Sequence, residues 1–149
     1  MYTRQFGTPM LALTLAAVLT AACTKRSEDP GTTGTTGRGV GVRVSQIDMG
    51  RSLSTDKTIT DYTSSFKPTD TIYASILTGG AAPTATVKAR WTYQDGQVVN
   101  ESTQTISPKG DARTEFHISK PDGFPVGKYK LEVFLNDSSA ATKDFEVER

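Results

Sequence analysis

From residue 40 onward apolar and polar residues alternate with a period of two, the pattern of half-buried β-strands. The clearest run is residues 84–94. Val87, Ala89, Trp91 and Tyr93 fall on one face, and Lys88, Arg90, Thr92 and Gln94 on the other. Asp95-Gly96 follows and predicts a hairpin, because glycine accepts the positive φ of a tight turn. The return strand, residues 97–106, is polar apart from Val98, Val99 and Ile106.

The same reading extends to both sides. Val40, Val42 and Val44 predict a half-buried first strand, and Ile72, Ala74 and Ile76 set the inward face of a strand over residues 71–77. Residues 47–65 carry no clean period; Thr58-Ile59-Thr60 predicts a short strand inside a polar loop, and residues 66–70 a turn. After the turn at Pro108-Lys109-Gly110, Phe116 and Ile118 point inward from residues 114–119. The loop 121–127 is dense in turn residues. It is followed by Tyr129, Leu131, Val133 and Leu135 on one face of residues 128–136. A turn at residues 136–139 precedes a last strand, residues 142–148, with Phe145 and Val147 inward. Seven or eight short strands separated by turns, with no helical period, predict an all-β antiparallel sandwich.

The first 39 residues read differently. Arg4 is the one charge ahead of an uncharged apolar run at residues 11–19, and Thr20-Ala21-Ala22 follows. This is the order of a secretory signal: charged region, short apolar region, small-residue cleavage region. The run is too short for a membrane-spanning helix, which needs about 20 apolar residues. Residues 24–39, with repeated Gly-Thr-Thr and one proline, offer no apolar side chain to bury and predict a flexible tether. The domain plan is therefore a signal peptide at 1–22, an anchor and linker at 23–39, and a folded domain at 40–149.

Two resemblances add to this plan. Leu19-Thr20-Ala21-Ala22-Cys23 resembles the lipobox of bacterial lipoproteins, with Thr20 where that family usually has leucine. The resemblance implies diacylation of Cys23 as the new N-terminus, and hence a membrane partner through the N-terminal lipid. Two or more acyl chains hold a protein firmly on a bilayer, at about 0.8 kcal/mol per buried CH₂. Because Thr24 is not the aspartate that retains such proteins in the inner membrane, the resemblance points to the outer membrane of the cell envelope. In the folded part, Trp91 on the presumed third strand and Gly127-Lys128-Tyr129-Lys130-Leu131 resemble the immunoglobulin fold. That resemblance implies a tyrosine corner at Tyr129 and a central Trp91. It also implies apolar Ile76 and Leu131 where antibody domains carry their disulfide.

Composition narrows the chemistry. Lys and Arg number 17 against 16 Asp and Glu; loss of residues 1–22 removes Arg4 and leaves a neutral chain, with no basic excess to attract nucleic acid. One cysteine and one histidine do not make a His/Cys zinc site within one chain. No Gly-x-Ser-x-Gly elbow or phosphate-cradling glycine loop occurs, and His117, flanked by inward Phe116 and Ile118, is expected to face solvent. The expectation is a non-enzymatic protein without a cofactor. It would present its sandwich to an envelope protein or glycan, as an accessory subunit of an envelope assembly. The candidate contact residues are Glu101, on a polar strand expected at a sheet edge, and Phe124 and Phe134, the aromatics least easily placed inside. The alternative is a periplasmic small-ligand or Ca²⁺-binding protein that uses the loops around Asp56–Asp70 and residues 121–127. The sequence leaves the partner and the oligomeric state open.

Overall fold

The computed structural model describes residues 41–149; the signal region 1–22, Cys23, the linker to residue 39 and Val40 lie outside the described residues. Among the described residues eight strands follow in order: β1 (Arg43–Gly50), β2 (Ser65–Phe66), β3 (Ile72–Gly79), β4 (Ala85–Tyr93), β5 (Gln97–Ile106), β6 (Ala112–Ile118), β7 (Gly127–Leu135) and β8 (Ser138–Val147). They form a three-stranded sheet, β1-β3-β6, and a five-stranded sheet, β2-β8-β7-β4-β5. All pairings are antiparallel except the short β2–β8 contact. In immunoglobulin lettering the sheets are A-B-E and A′-G-F-C-C′, and the domain is an immunoglobulin-like β-sandwich.

The inward rows close on one another as the alternation requires. Ile72, Ala74 and Ile76 of one sheet and Val87, Ala89, Trp91, Leu131 and Val133 of the other are fully buried. Phe145 is the aromatic hub: its ring meets Phe66 and Trp91 edge-on at 5.7 and 5.8 Å and stacks on Tyr129 at 5.2 Å. The Tyr129 hydroxyl donates to the Pro125 carbonyl at 2.7 Å, four residues upstream, which is the tyrosine corner of this fold. Trp91 Nε1 is buried with no acceptor among the described residues, so packing alone holds the indole.

Three departures from the alternation have local causes. First, the opening strand starts at Arg43 and runs on to Gly50, because a bulge between Val44 and Gln46 shifts its register against β3. The extra residue moves the inward phase from Val42 and Val44 to Ile47 and Met49, so the period appears to stop where the strand continues. Second, residues 58–60 form no named strand; Ile59 makes one bridge to Leu53 and is buried at 2% exposure. Its loop lies so close to β1 that a Cβ on Gly50 would sit 2.1 Å from the Asp61 carbonyl oxygen and 2.4 Å from Ile59 Cγ2. Third, β8 begins at Ser138, because Asn136 and Asp137 adopt φ of 49° and 64°. That is a two-residue turn with both central residues left-handed, so the chain re-enters the sheet at once.

The outer face of β3 is covered as well. Ser75 donates to the Lys57 carbonyl at 2.5 Å and accepts from Arg113 at 3.0 Å, while Arg113 also pairs with Asp48 at 3.1 Å. The loop 51–64 therefore acts as a strap over the middle strand of the smaller sheet.

Two outcomes are expected. Gly50→Ala forces the strap away from β1 and should lower unfolding free energy in urea by about 1–3 kcal/mol, the usual cost of overpacking; an unchanged midpoint would refute the close approach. Burial, and secondarily the neighbouring Tyr93, pushes the Tyr129 hydroxyl from 10.0 up to about 12. The folded state then holds that proton more tightly than the unfolded chain, so stability falls as pH rises from 10 toward 12. Thermal melts across that window should show the loss in wild type and a smaller one in Tyr129→Phe.

Candidate interaction face

The outward rows of the five-stranded sheet bring together residues far apart in sequence. In register, Lys88 of β4 stands beside Phe134 of β7 and Thr103 of β5, and Arg90 stands beside Glu132 and Glu101. Phe134 is the aromatic residue of these outward rows, half-buried under two cations: Lys88 Nζ and Arg90 Cζ each lie 4.8 Å from its ring centroid. Such contacts contribute about 0.5–1 kcal/mol each at exposed sites. They also keep the ring from being a bare apolar patch.

Arg90 is the link to the sheet edge. Its Nε donates to Glu101 at 2.6 Å, and this hydrogen bond holds the Glu101 carboxyl below the usual carboxylate range. Lys88 meets Asp137 in the β7–β8 turn at 3.6 Å, and Ser139 donates to Glu132 at 2.7 Å. Toward the other end of the same face, a shallow groove of about 430 Å³ runs from Ser64 to Gln94 between Lys128, Lys130, Asp144 and Glu146. The face is therefore polar, balanced in charge, and centred on one aromatic ring.

Of the three candidate contact residues, Glu101 and Phe134 are brought to one face, joined through Arg90. Phe124 is not. It is 4% exposed, its ring meets Tyr129 edge-on at 6.2 Å, and its N–H donates to the Pro68 carbonyl at 2.8 Å. The turn at Lys120–Gly123, with Gly123 at φ 82°, folds the loop back over the end of the sandwich and carries Phe124 into the core. Exposure as a contact residue is thus corrected to a packing role. Lys88 and Arg90 were visible as outward residues of their strand, but their placement on Phe134 depends on the β4–β7 register.

The other side chains with chemical potential are held in local contacts. His117 is exposed on the smaller sheet, its Nδ1 2.6 Å from Glu115, with its ring 5.4 Å from Tyr73. Asp56 accepts from Ser54 and Thr58, whose hydrogen bonds lower its pKa in that order. Asp61 and Asp70 both turn to Arg51, at 3.0 and 3.9 Å. Among the described residues no three His, Cys, Asp or Glu side chains converge as a metal site requires.

No protein-family model and no curated relative matches the chain. Several solved structures are similar in fold. An immunoglobulin-like protein from Pseudomonas aeruginosa is 19% identical over 75% of this chain and all of that one, with a TM-score of 0.48. The CARDB domain of a Pyrococcus furiosus protein, solved with di-metal ions, is 12% identical over 72% of this chain and 88% of that one, at 0.48. A Paenibacillus cycloisomaltooligosaccharide glucanotransferase, complexed with cycloisomaltoheptaose, is 15% identical over 71% of this chain at 0.48, and the match spans 14% of that enzyme. The immunoglobulin-like description stands on the strand order and the tyrosine corner themselves.

If Arg90 sets the state of Glu101, then Arg90→Gln should return the Glu101 carboxyl upward toward 4.5, its ordinary value. The contribution of this pair is present above that value and lost as pH falls through the lowered one. A ¹³C NMR titration of the side-chain carboxyls reads both, and identical titration in the two proteins would refute the link.

Proposed function

We propose that the chain is a non-catalytic, lipid-anchored protein of the bacterial cell envelope, seated on the outer membrane through acylated Cys23. In this reading it presents the outer face of its five-stranded sheet to an envelope protein or glycan. The observation that carries the reading is Phe134 held between Lys88 and Arg90, with Glu101 fixed on Arg90. An aromatic ring rimmed by paired charges offers apolar contact area and directional hydrogen bonding in one place. Aromatic and arginine residues are the side chains on which binding energy most often concentrates. The ordering entropy of Arg90 is partly met before any partner arrives, since Glu101 and Phe134 already hold it. The signal pattern before Cys23 and the Gly/Thr-rich residues after it suit a domain displayed at a distance from the lipid.

The test is crosslinking and capture from intact envelopes with wild type, Cys23→Ser and Phe134→Ala. Mass spectrometry of the mature N-terminus should find acyl chains on wild type and none on Cys23→Ser. A defined protein or glycan should be captured by wild type and lost, by roughly tenfold or more for a removed hot-spot ring, in Phe134→Ala of unchanged melting temperature. Capture unaffected by Phe134→Ala would reject this face, and an unmodified wild-type Cys23 would reject the anchor.

A further inference from the structure

Among the described residues the outer edge of β5 differs from the other sheet edges in being long, regular and uncovered. β8 is partly covered by β2, and the Glu148 N–H donates to Phe66 beyond it. β1 is interrupted by its bulge. β6 is met by Gln104, whose Nε2 donates to the Glu115 carbonyl at 2.6 Å. Among the described residues β5, ten residues long, pairs with β4 alone. Its one irregularity lies at Val99, next to the hairpin, where Trp91 and Thr92 pair with Asn100 and Val98. Residues 100–106 are in unbroken register.

The direction of the backbone groups on that edge follows from the turn beside β4. The Asn136 N–H donates to the Thr86 carbonyl, and the Thr86 N–H donates to Asn136 Oδ1, both at 2.9 Å. Thr86 therefore turns its backbone toward β7. Antiparallel ladders alternate, so Val87 and Ala89 turn toward β5, where their partners are Gln104 and Ser102. Glu101, Thr103 and Thr105 are left with N–H and C=O groups at the open edge.

Exposed edges in natural sheets are usually blunted by lysine, proline, shortness or an inward charge. Residues 97–106 contain no lysine and no proline, and Glu101 is their one charge. Arg90 already neutralises that charge across the sheet at 2.6 Å. What remains over residues 100–105 is a neutral row of Ser, Thr, Asn and Gln with β-branched threonine at outward positions, flanked by Val98, Val99 and Ile106.

We infer that β5 pairs antiparallel with β5 of a second copy of this chain, about a two-fold axis at Thr103, joining two five-stranded sheets edge to edge. In this register Thr103 meets its own copy, Glu101 meets Thr105, and Ser102 meets Gln104. The two glutamates are thereby kept from facing each other, and each meets a threonine hydroxyl while bonded to its own Arg90. Threonine pairs across antiparallel strands are favourable. Gln104 retains its bond to Glu115, so the core-side row needs no rearrangement. Two-fold self-complementarity of one patch is the ordinary geometry of a homodimer. The pairing is independent of what the outer face binds.

Sedimentation equilibrium of the purified full-length chain in density-matched detergent tests this. Wild type should show twice the protein mass of a monomer, and Thr103→Lys, which sets two cations opposite each other at an exposed edge, should show the monomer mass with unchanged far-UV circular dichroism. Register is read by oxidative crosslinking, since a paired Thr103 places the two α-carbons about 5.5 Å apart, within disulfide reach. Thr103→Cys should crosslink to itself; Glu101→Cys and Thr105→Cys should crosslink when mixed and far less alone, with the wild-type chain, whose cysteine is Cys23, as the blank. A wild-type monomer at the highest soluble concentration, a Thr103→Lys dimer, or equal self-crosslinking at residues 101, 103 and 105 would each overturn the inference.

Discussion

The stacking of Tyr129 on Phe145, with the Tyr129 hydroxyl tied to the Pro125 carbonyl, is the contact on which the larger sheet and its loops depend. Tyr129 sits on β7 and Phe145 on β8, so the stack joins two neighbouring strands of the five-stranded sheet. Phe145 extends it to Trp91 on β4 and Phe66 on β2. The hydroxyl bond extends it to the loop before β7, and Phe124 packs against the same ring. One side chain thereby supplies apolar area to the core and ties the loop before β7 to the sheet through its carbonyl. Burial that favours the neutral phenol is the same burial that makes the corner sensitive to alkaline pH.

Because the inward rows are committed to this core, the outward rows are what the two sheets present. On the smaller sheet, the strap of residues 51–64 and the Asp48–Arg113–Ser75 cluster cover the middle strand. Among the described residues the larger sheet has no such strap over β4 and β7, and its cover consists of its own side chains, Lys88 and Arg90 lying over Phe134. Lysine stems can move aside at little energetic expense, whereas a strap anchored by Ile59 cannot. That difference in the depth of cover is why the proposed contact face lies on one sheet and not the other. Arg90 couples this face to the edge strand: by holding Glu101, it pairs the one charge of β5.

The strands whose alternation is undisturbed were legible in the residues alone: β4, β6 and β7 follow their apolar rows, and the Asp95-Gly96 turn falls between β4 and β5. Each boundary that was misread has an added or missing residue behind it. The Val44–Gln46 bulge hid the second half of β1, and the tight Asn136–Asp137 turn, lacking the usual glycine, hid the first half of β8. Phe124 was misplaced for a related reason, since a loop rich in proline and glycine gives no period from which burial can be read. Two of the three candidate contact residues, and Arg90, could be seen singly, but not the strand pairing through which Arg90 joins them.

Sequence alone determined the all-β class, the inward identities of Trp91, Tyr129, Leu131 and Phe145, and the signal pattern ending at Cys23, because each of these is written in local order: a period, a turn dipeptide, an apolar run. Tertiary structure alone decided which strands are neighbours, and with that the pairing of Lys88 with Phe134, of Arg90 with Glu101, and the exposure of the β5 edge. The reason is physical. Alternation specifies a face of a strand, but the partner across that face is chosen by the packing of the whole sandwich. Residues far apart in sequence, such as Lys88 and Phe134, meet only through the pairing of β4 with β7 in the larger sheet.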